Sequence, residues 1–127
     1  MTGKHWKVRN KSGYLLHGYL PEKIIGLCYD IHHQYGSGQK ENIYQNALEE
    51  KLIQGKIPFK REVSITIMSH DSHKALGSHR LDFVIGDAVV VEAKAIKFTP
   101  QKLLQQLFSY LRNSAYEVGL MVNFGSG

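Results

Sequence analysis

The chain has 127 residues, 43% of them hydrophobic and 21% charged, an ordinary composition for one globular domain with a single core. No apolar run approaches the roughly 20 residues of a membrane span, and Met1-Thr-Gly-Lys-His-Trp-Lys leads into no apolar stretch, so neither a membrane segment nor a signal peptide is expected and the expected compartment is the cytoplasm. The single Cys28 excludes an internal disulfide framework and a four-thiolate metal site, while a net charge of +5 and a pI near 9.3 favour a polyanionic partner.

Residues 1–20 alternate between polar, basic and aromatic side chains without a sustained period, and read as a flexible, solvated leader with a short extended piece at Gly13-Tyr-Leu-Leu-His-Gly18. Its basic residues Lys4, Lys7, Arg9 and Lys11, with Trp6 and Tyr14 between them, could touch a nucleic-acid backbone. Pro21 suits a first helical position, and Ile24, Ile25, Cys28 and Ile31 follow at spacings of three and four, which predicts a helix over 21–35 ended by Gly36-Ser-Gly38. A second helix is predicted from about Gln39 to Gln54, with Ile43, Ala47, Leu48 and Leu52 inward and Gly55 as its stop. From Phe59 the period becomes two: Val63, Ile65 and Ile67 alternate with Glu62, Ser64 and Thr66 in a half-buried strand. His70-Asp-Ser-His73 turns the chain into a second strand, Ala75 to Ile85. Gly86-Asp87 turns it again into a third, Ala88 to Ile96, whose successive apolar residues mark it as central. Thr99-Pro100 supplies a cap and a first-turn proline for a helix running to about Asn113, with Leu103, Leu104, Leu107, Phe108 and Leu111 toward the core. Val118 to Val122 is the last strand. The order ααβββαβ places a helix between strands, allowing a parallel crossover: an α/β fold with a mixed sheet flanked by helices.

Chemistry concentrates at Arg80-Leu-Asp82 and Val91-Glu92-Ala-Lys94. A carboxylate and an ammonium at the end of a buried strand are costly unless they pair or hold a metal. Two acids and a lysine there are a constellation suited to metal-assisted cleavage of a phosphodiester; the bland alternative is an ion pair among Asp82, Arg80, Glu92 and Lys94. Glu92 and Lys94 share a face because they are two apart. A two-residue Gly86-Asp87 turn would pair position 82 with 91 and put Asp82 on the wrong face. Catalysis therefore requires a three-residue loop, or a bulge near Asp82, that pairs it with Glu92. The seven histidines offer no zinc-like set of four ligands.

The segment Gly36-Ser-Gly-Gln-Lys-Glu41-Asn-Ile-Tyr44 resembles the signature of the GxxExxY protein family. Arg80-Leu-Asp82, Val91-Glu92-Ala-Lys94, Gln106-Leu-Phe-Ser-Tyr110-Leu-Arg112 and Gly119-Leu-Met-Val-Asn-Phe-Gly125 resemble its later blocks in order, with Leu81 where the superfamily's name has its proline. That family is grouped with the PD-(D/E)XK nucleases, so the resemblance implies a restriction-endonuclease-like core over 21–125 and a Mg²⁺-dependent nuclease acting on DNA or RNA, with Mn²⁺ able to substitute. It implies Asp82, Glu92 and Glu41 as metal ligands, with Lys94 and Gln106 completing the catalytic set. Arg80, Lys102, Tyr110, Arg112 and Tyr44 become candidates for nucleic-acid contact. Glu41 near a helix start is equally suited to the helix dipole, and Tyr44 to packing. The alternative function is a catalytically inactive module of the same fold that binds nucleic acid or protein. A domain this small can also pair with a second copy to cut two strands.

Overall fold

The computed structural model describes residues 6–10, 19–116 and 118–125. The expected order ααβββαβ is observed, preceded by a short strand. The elements are β1 (Trp6–Asn10), α1 (Tyr19–Tyr35), α2 (Glu41–Gln54), β2 (Phe59–Met68), β3 (Ala75–Ile85), β4 (Val89–Lys94), α3 (Gln101–Arg112) and β5 (Val118–Asn123). They form one mixed sheet of strand order β1-β5-β4-β3-β2. β4 runs parallel to β5 through the α3 crossover, and the other pairs are antiparallel. Residues 6–10, placed in a leader by their irregular pattern, instead pair with β5 at the sheet edge. An edge strand needs only backbone complementarity on one side, so it carries little periodic signal. The extended piece expected at 13–18 lies outside the described residues.

Two apolar layers sandwich the sheet. On one face α1 and α2 bury Ile24, Cys28, Ile31, Tyr44, Leu48 and Leu52 against Phe83, Val91, Leu120 and Phe124. On the other, Leu107 and Leu111 of α3 cover Val84, Val90 and Met121. β4 is central, as its unbroken apolar run requires, and is buried from Val89 to Ala93. Gly119 allows α3 its close approach to β5, since a Cβ there would stand 2.9 Å from Leu111 Cδ1.

Two expectations are corrected. Ile43, expected inward, is exposed at 36%, and Tyr44 takes the buried place one residue on. With Tyr44, Leu48 and Leu52 inward, the buried stripe runs at an even spacing of four, a set that an apolar-only reading overlooks by discounting tyrosine. Thr99 does not cap α3: Pro100 occupies the cap position without a side-chain bond, and the Thr99 hydroxyl instead accepts from Asn123 Nδ2 at 2.9 Å.

The β3–β4 hairpin decides the site. Phe83 pairs with Val91, Val84 with Val90 and Ile85 with Val89, leaving Gly86, Asp87 and Ala88 as a three-residue loop. Gly86 and Asp87 both take the left-handed backbone, at φ 61° and 52°, which Gly and Asp tolerate best. Continued one step past the Phe83–Val91 pair, this register sets Asp82 opposite Glu92, the arrangement that the expected metal site needs. A second irregularity lies on the other side. Glu62 of β2, between the pairs Arg61–Phe83 and Val63–Leu81, has no ladder partner and a φ of 54°. Leu81 and Val84 consequently join the same cluster although three apart, so the strict alternation of a strand breaks at Asp82.

Candidate active site

The β3–β4 ladder stops at the Phe83–Val91 pair, and beyond it the acids replace the backbone bonds. The Asp82 amide donates to Glu92 Oε1 at 3.3 Å, and the Ala93 amide donates to Asp82 Oδ2 at 2.9 Å. Each strand thus lends an amide to the carboxylate of the other. The carboxylates wedge the strands apart and are themselves held in place. Glu92 is 6% exposed. Burial, and then the adjacent Asp82 carboxylate, push its pKa up to about 8, because two close carboxylates in a dry place cannot both ionise freely. The buried pair therefore resists carrying two negative charges on its own, in a position suited to a cation.

A cleft of about 250 Å³ opens over this pair. Lys94 lines it from the same strand face as Glu92, and Arg80 lines it from β3. Leu103, Leu107 and Met121 supply its apolar wall, with Gln106 and Tyr110 beside them on α3. Glu41 enters from the first turn of α2. Burial raises the Glu41 pKa, Lys94 works against that, and the Asp82 charge adds to it, which places all three within electrostatic reach. Tyr110 is also raised, mainly by burial and then by Glu92.

Sequence spacing explains how Glu41 arrives there. Gly36, at φ 71°, ends α1, and its carbonyl accepts the Tyr44 hydroxyl hydrogen bond. The same hydroxyl accepts from the Gln39 amide at 3.0 Å, and the Tyr44 ring stacks on Phe124 at 4.5 Å between centroids. Tyr44 is an anchor for the α1–α2 turn, and Glu41 stands almost one helical turn before it. Tyr44 is 0% exposed, so its expected contact with nucleic acid is corrected to a packing and positioning role.

Most of the expected set therefore meets in one place: Asp82, Glu92, Lys94, Glu41, Gln106, Arg80 and Tyr110 all line the cleft. Lys102 and Arg112 do not, although both are exposed on α3; the Arg112 guanidinium lies 5.1 Å from the Phe108 ring centroid. The ion pair expected as the bland alternative is not formed as such, for Arg80 stands 3.7 Å from Glu62 across an exposed part of the β2–β3 ladder. Two supporting residues were not singled out from the sequence. His79 packs its ring against Tyr110 at 4.2 Å between centroids, and no sequence signal marks it. Asn123 is 0% exposed, and its Oδ1 accepts from the amides of Ile96 and Gly125, both at 3.0 Å, tying the segment after Lys94 to the end of β5. A lone Asn ending an apolar strand is the signal that could have found it, because a fully buried amide must have partners. Gly125 is required beside it, since a Cβ would fall 2.5 Å from the Ile96 backbone.

Among the described residues no three acidic, histidine or cysteine side chains stand close enough to enclose an ion. The donor set is the Asp82–Glu92 pair, with Glu41 nearby in the cleft. That set fits Mg²⁺, which retains several waters and takes one or two carboxylates with the remainder from substrate phosphate. Cys28 fits no such role: it is fully buried and its thiol is pushed up to about 12 by burial, which makes it inert packing.

A sequence profile of the PD-(D/E)XK nuclease superfamily matches residues 19–127, and the chain belongs to that superfamily. The match spans all three helices and every strand from β2 onward, and its members are in general metal-dependent nucleases acting on nucleic acid. Neither the curated proteins nor the solved structures contain a match. No described helix is long and apolar enough to cross a membrane.

Proposed function

We propose that the chain is a Mg²⁺-dependent nuclease of the GxxExxY type that hydrolyses phosphodiester bonds in DNA, with RNA as the second substrate class. One observation carries this reading: the register of the β3–β4 hairpin brings Asp82 and Glu92 together beside Lys94, in a cleft that Glu41 and Gln106 also line. Asp82 and Glu92 would hold the ion; Glu41, expected as a third ligand, stands too far off to join them directly and would reach it through a water. When bound, the ion supplies Lewis acidity and a more acidic water.

The chain's own groups do the rest. Lys94 carries a positive charge on the face of Glu92, where it orients the attacking water or neutralises charge developing on the phosphate. Gln106 offers an amide to that water or to a phosphate oxygen. Arg80, exposed at the cleft, suits a two-pronged grip on a phosphate. Leu103, Leu107 and Met121 keep one wall dry, which strengthens every charge interaction inside. We place the protein in the cytoplasm, and a second copy would let it cut both strands of a duplex.

The test is cleavage of short single- and double-stranded DNA and RNA with Mg²⁺, Mn²⁺ or chelator, run beside Glu92→Gln. Cleavage is expected with either ion, and neither with chelator nor by the variant. Wild-type rates from Glu92→Gln would refute the site. No cleavage of any substrate by the wild type would favour the binding module.

A further inference from the structure

The segment from Ala95 to Pro100 joins the two walls of the cleft, running from Lys94 on β4 to α3, which begins at Gln101. It has no regular structure, yet buried groups grip it on both sides of its middle. Asn123 Oδ1 accepts from the Ile96 amide at 3.0 Å, and Asn123 Nδ2 donates to Thr99 Oγ1 at 2.9 Å. Lys97 and Phe98 are the two residues left between those attachments. Phe98 is 74% exposed, and the Lys97 ammonium stands 5.6 Å from its ring centroid. The segment that carries this exposed aromatic ring is thus tied on both sides of it by one fully buried polar side chain.

We infer that Phe98, outside the cleft lining itself, is a stacking platform for an unpaired nucleobase within a few nucleotides of the scissile phosphate, with Lys97 drawn to a neighbouring phosphate. The inference rests on the nuclease reading and adds a preference to it. Four residues of extended chain span at most about 14 Å, so Phe98 lies within a few nucleotides of the phosphate that Lys94 would meet. A base stacks on an aromatic ring through its face, which every base possesses, so the contact selects for an open base and not for a sequence. A paired base buried in a duplex does not offer that face. The site therefore favours single strands, frayed ends or flaps over continuous duplex.

The experiment measures binding of fluorescein-labelled DNA to the full chain by anisotropy in Ca²⁺. The probes are a single-stranded 12-mer, the same 12-mer with one abasic position moved along it, and the duplex. Phe98→Ala should weaken single-strand binding about tenfold and leave the duplex nearly unchanged. Phe98→Trp should retain the wild-type affinity. At one abasic position the wild type should lose as much as the variant does, and the variant should lose nothing more. Equal single-strand affinity of Phe98→Ala and wild type, or an equal loss at every abasic position, would overturn the stacking role while leaving the nuclease reading in place. Absence of binding by the wild type to any probe would overturn both.

Discussion

Glu92→Gln should make the protein more stable, by an amount that depends on pH. Glu92 is neutral in the folded protein up to about pH 8 but ionises near 4.5 once the chain unfolds. Between those values the folded state holds one more proton than the unfolded state, so wild-type stability falls as pH rises, by about 1.4 kcal/mol per pH unit. The stabilising effect of the neutral acid is complete below pH 4.5 and is lost by the time pH passes about 8. Glutamine is neutral in both states, keeps the shape, and can donate to the Asp82 carboxylate as the protonated acid does. The stability difference between variant and wild type should therefore widen by about 3 kcal/mol between acid pH and pH 7, an upper figure that local rearrangement would reduce. For a chain of this size that is a Tm gap growing by roughly 10 °C. Thermal unfolding followed by circular dichroism from pH 4 to 9, with chelator present, measures it. A gap that stays flat across this range would refute the assignment of a buried, proton-holding Glu92. Adding Ca²⁺ should raise the wild-type Tm and leave the variant unmoved, because ligand binding to the folded state alone stabilises it.

Asp82→Asn and Glu92→Gln should each abolish divalent-dependent cleavage with circular dichroism unchanged, and retained activity in both would refute the metal site. Lys94→Ala should lose cleavage but still bind Mn²⁺ in calorimetric titration; loss of both would mean that Lys94 organises the acids. Tyr44→Ala should destabilise the chain by about 3–5 kcal/mol, the usual cost of truncating a buried aromatic, whereas Tyr44→Phe should cost about 1–2 kcal/mol through the unmet Gly36 carbonyl and Gln39 amide; denaturant titration distinguishes them. Affinity for nucleic acid should fall linearly with salt on a logarithmic scale, and Ca²⁺ should tighten it by neutralising the acids of the cleft; binding indifferent to both would point to a protein partner.

The elements with strong periods were legible in the sequence. The alternation in 59–68, the unbroken apolar run that ends in Glu92 and Lys94, and the leucine stripe of 103–111 each encode burial directly, because a strand or helix repeats its environment every two or every three to four residues. Glu92 and Lys94 share a face for the same local reason. What local pattern could not decide was the partner of Asp82. A two-residue turn and a three-residue loop are both compatible with Gly86-Asp87-Ala88, and they place Asp82 on opposite faces. Only the assembled sheet, with Val89 set against Ile85, chooses between them. The roles of Tyr44 and Asn123 were likewise settled by tertiary contacts. Tyr44 meets Phe124 from the far end of the chain, and Asn123 bonds across to Ile96 and Thr99. Burial of a polar group is decided by partners distant in sequence, so no window of neighbouring residues can report it.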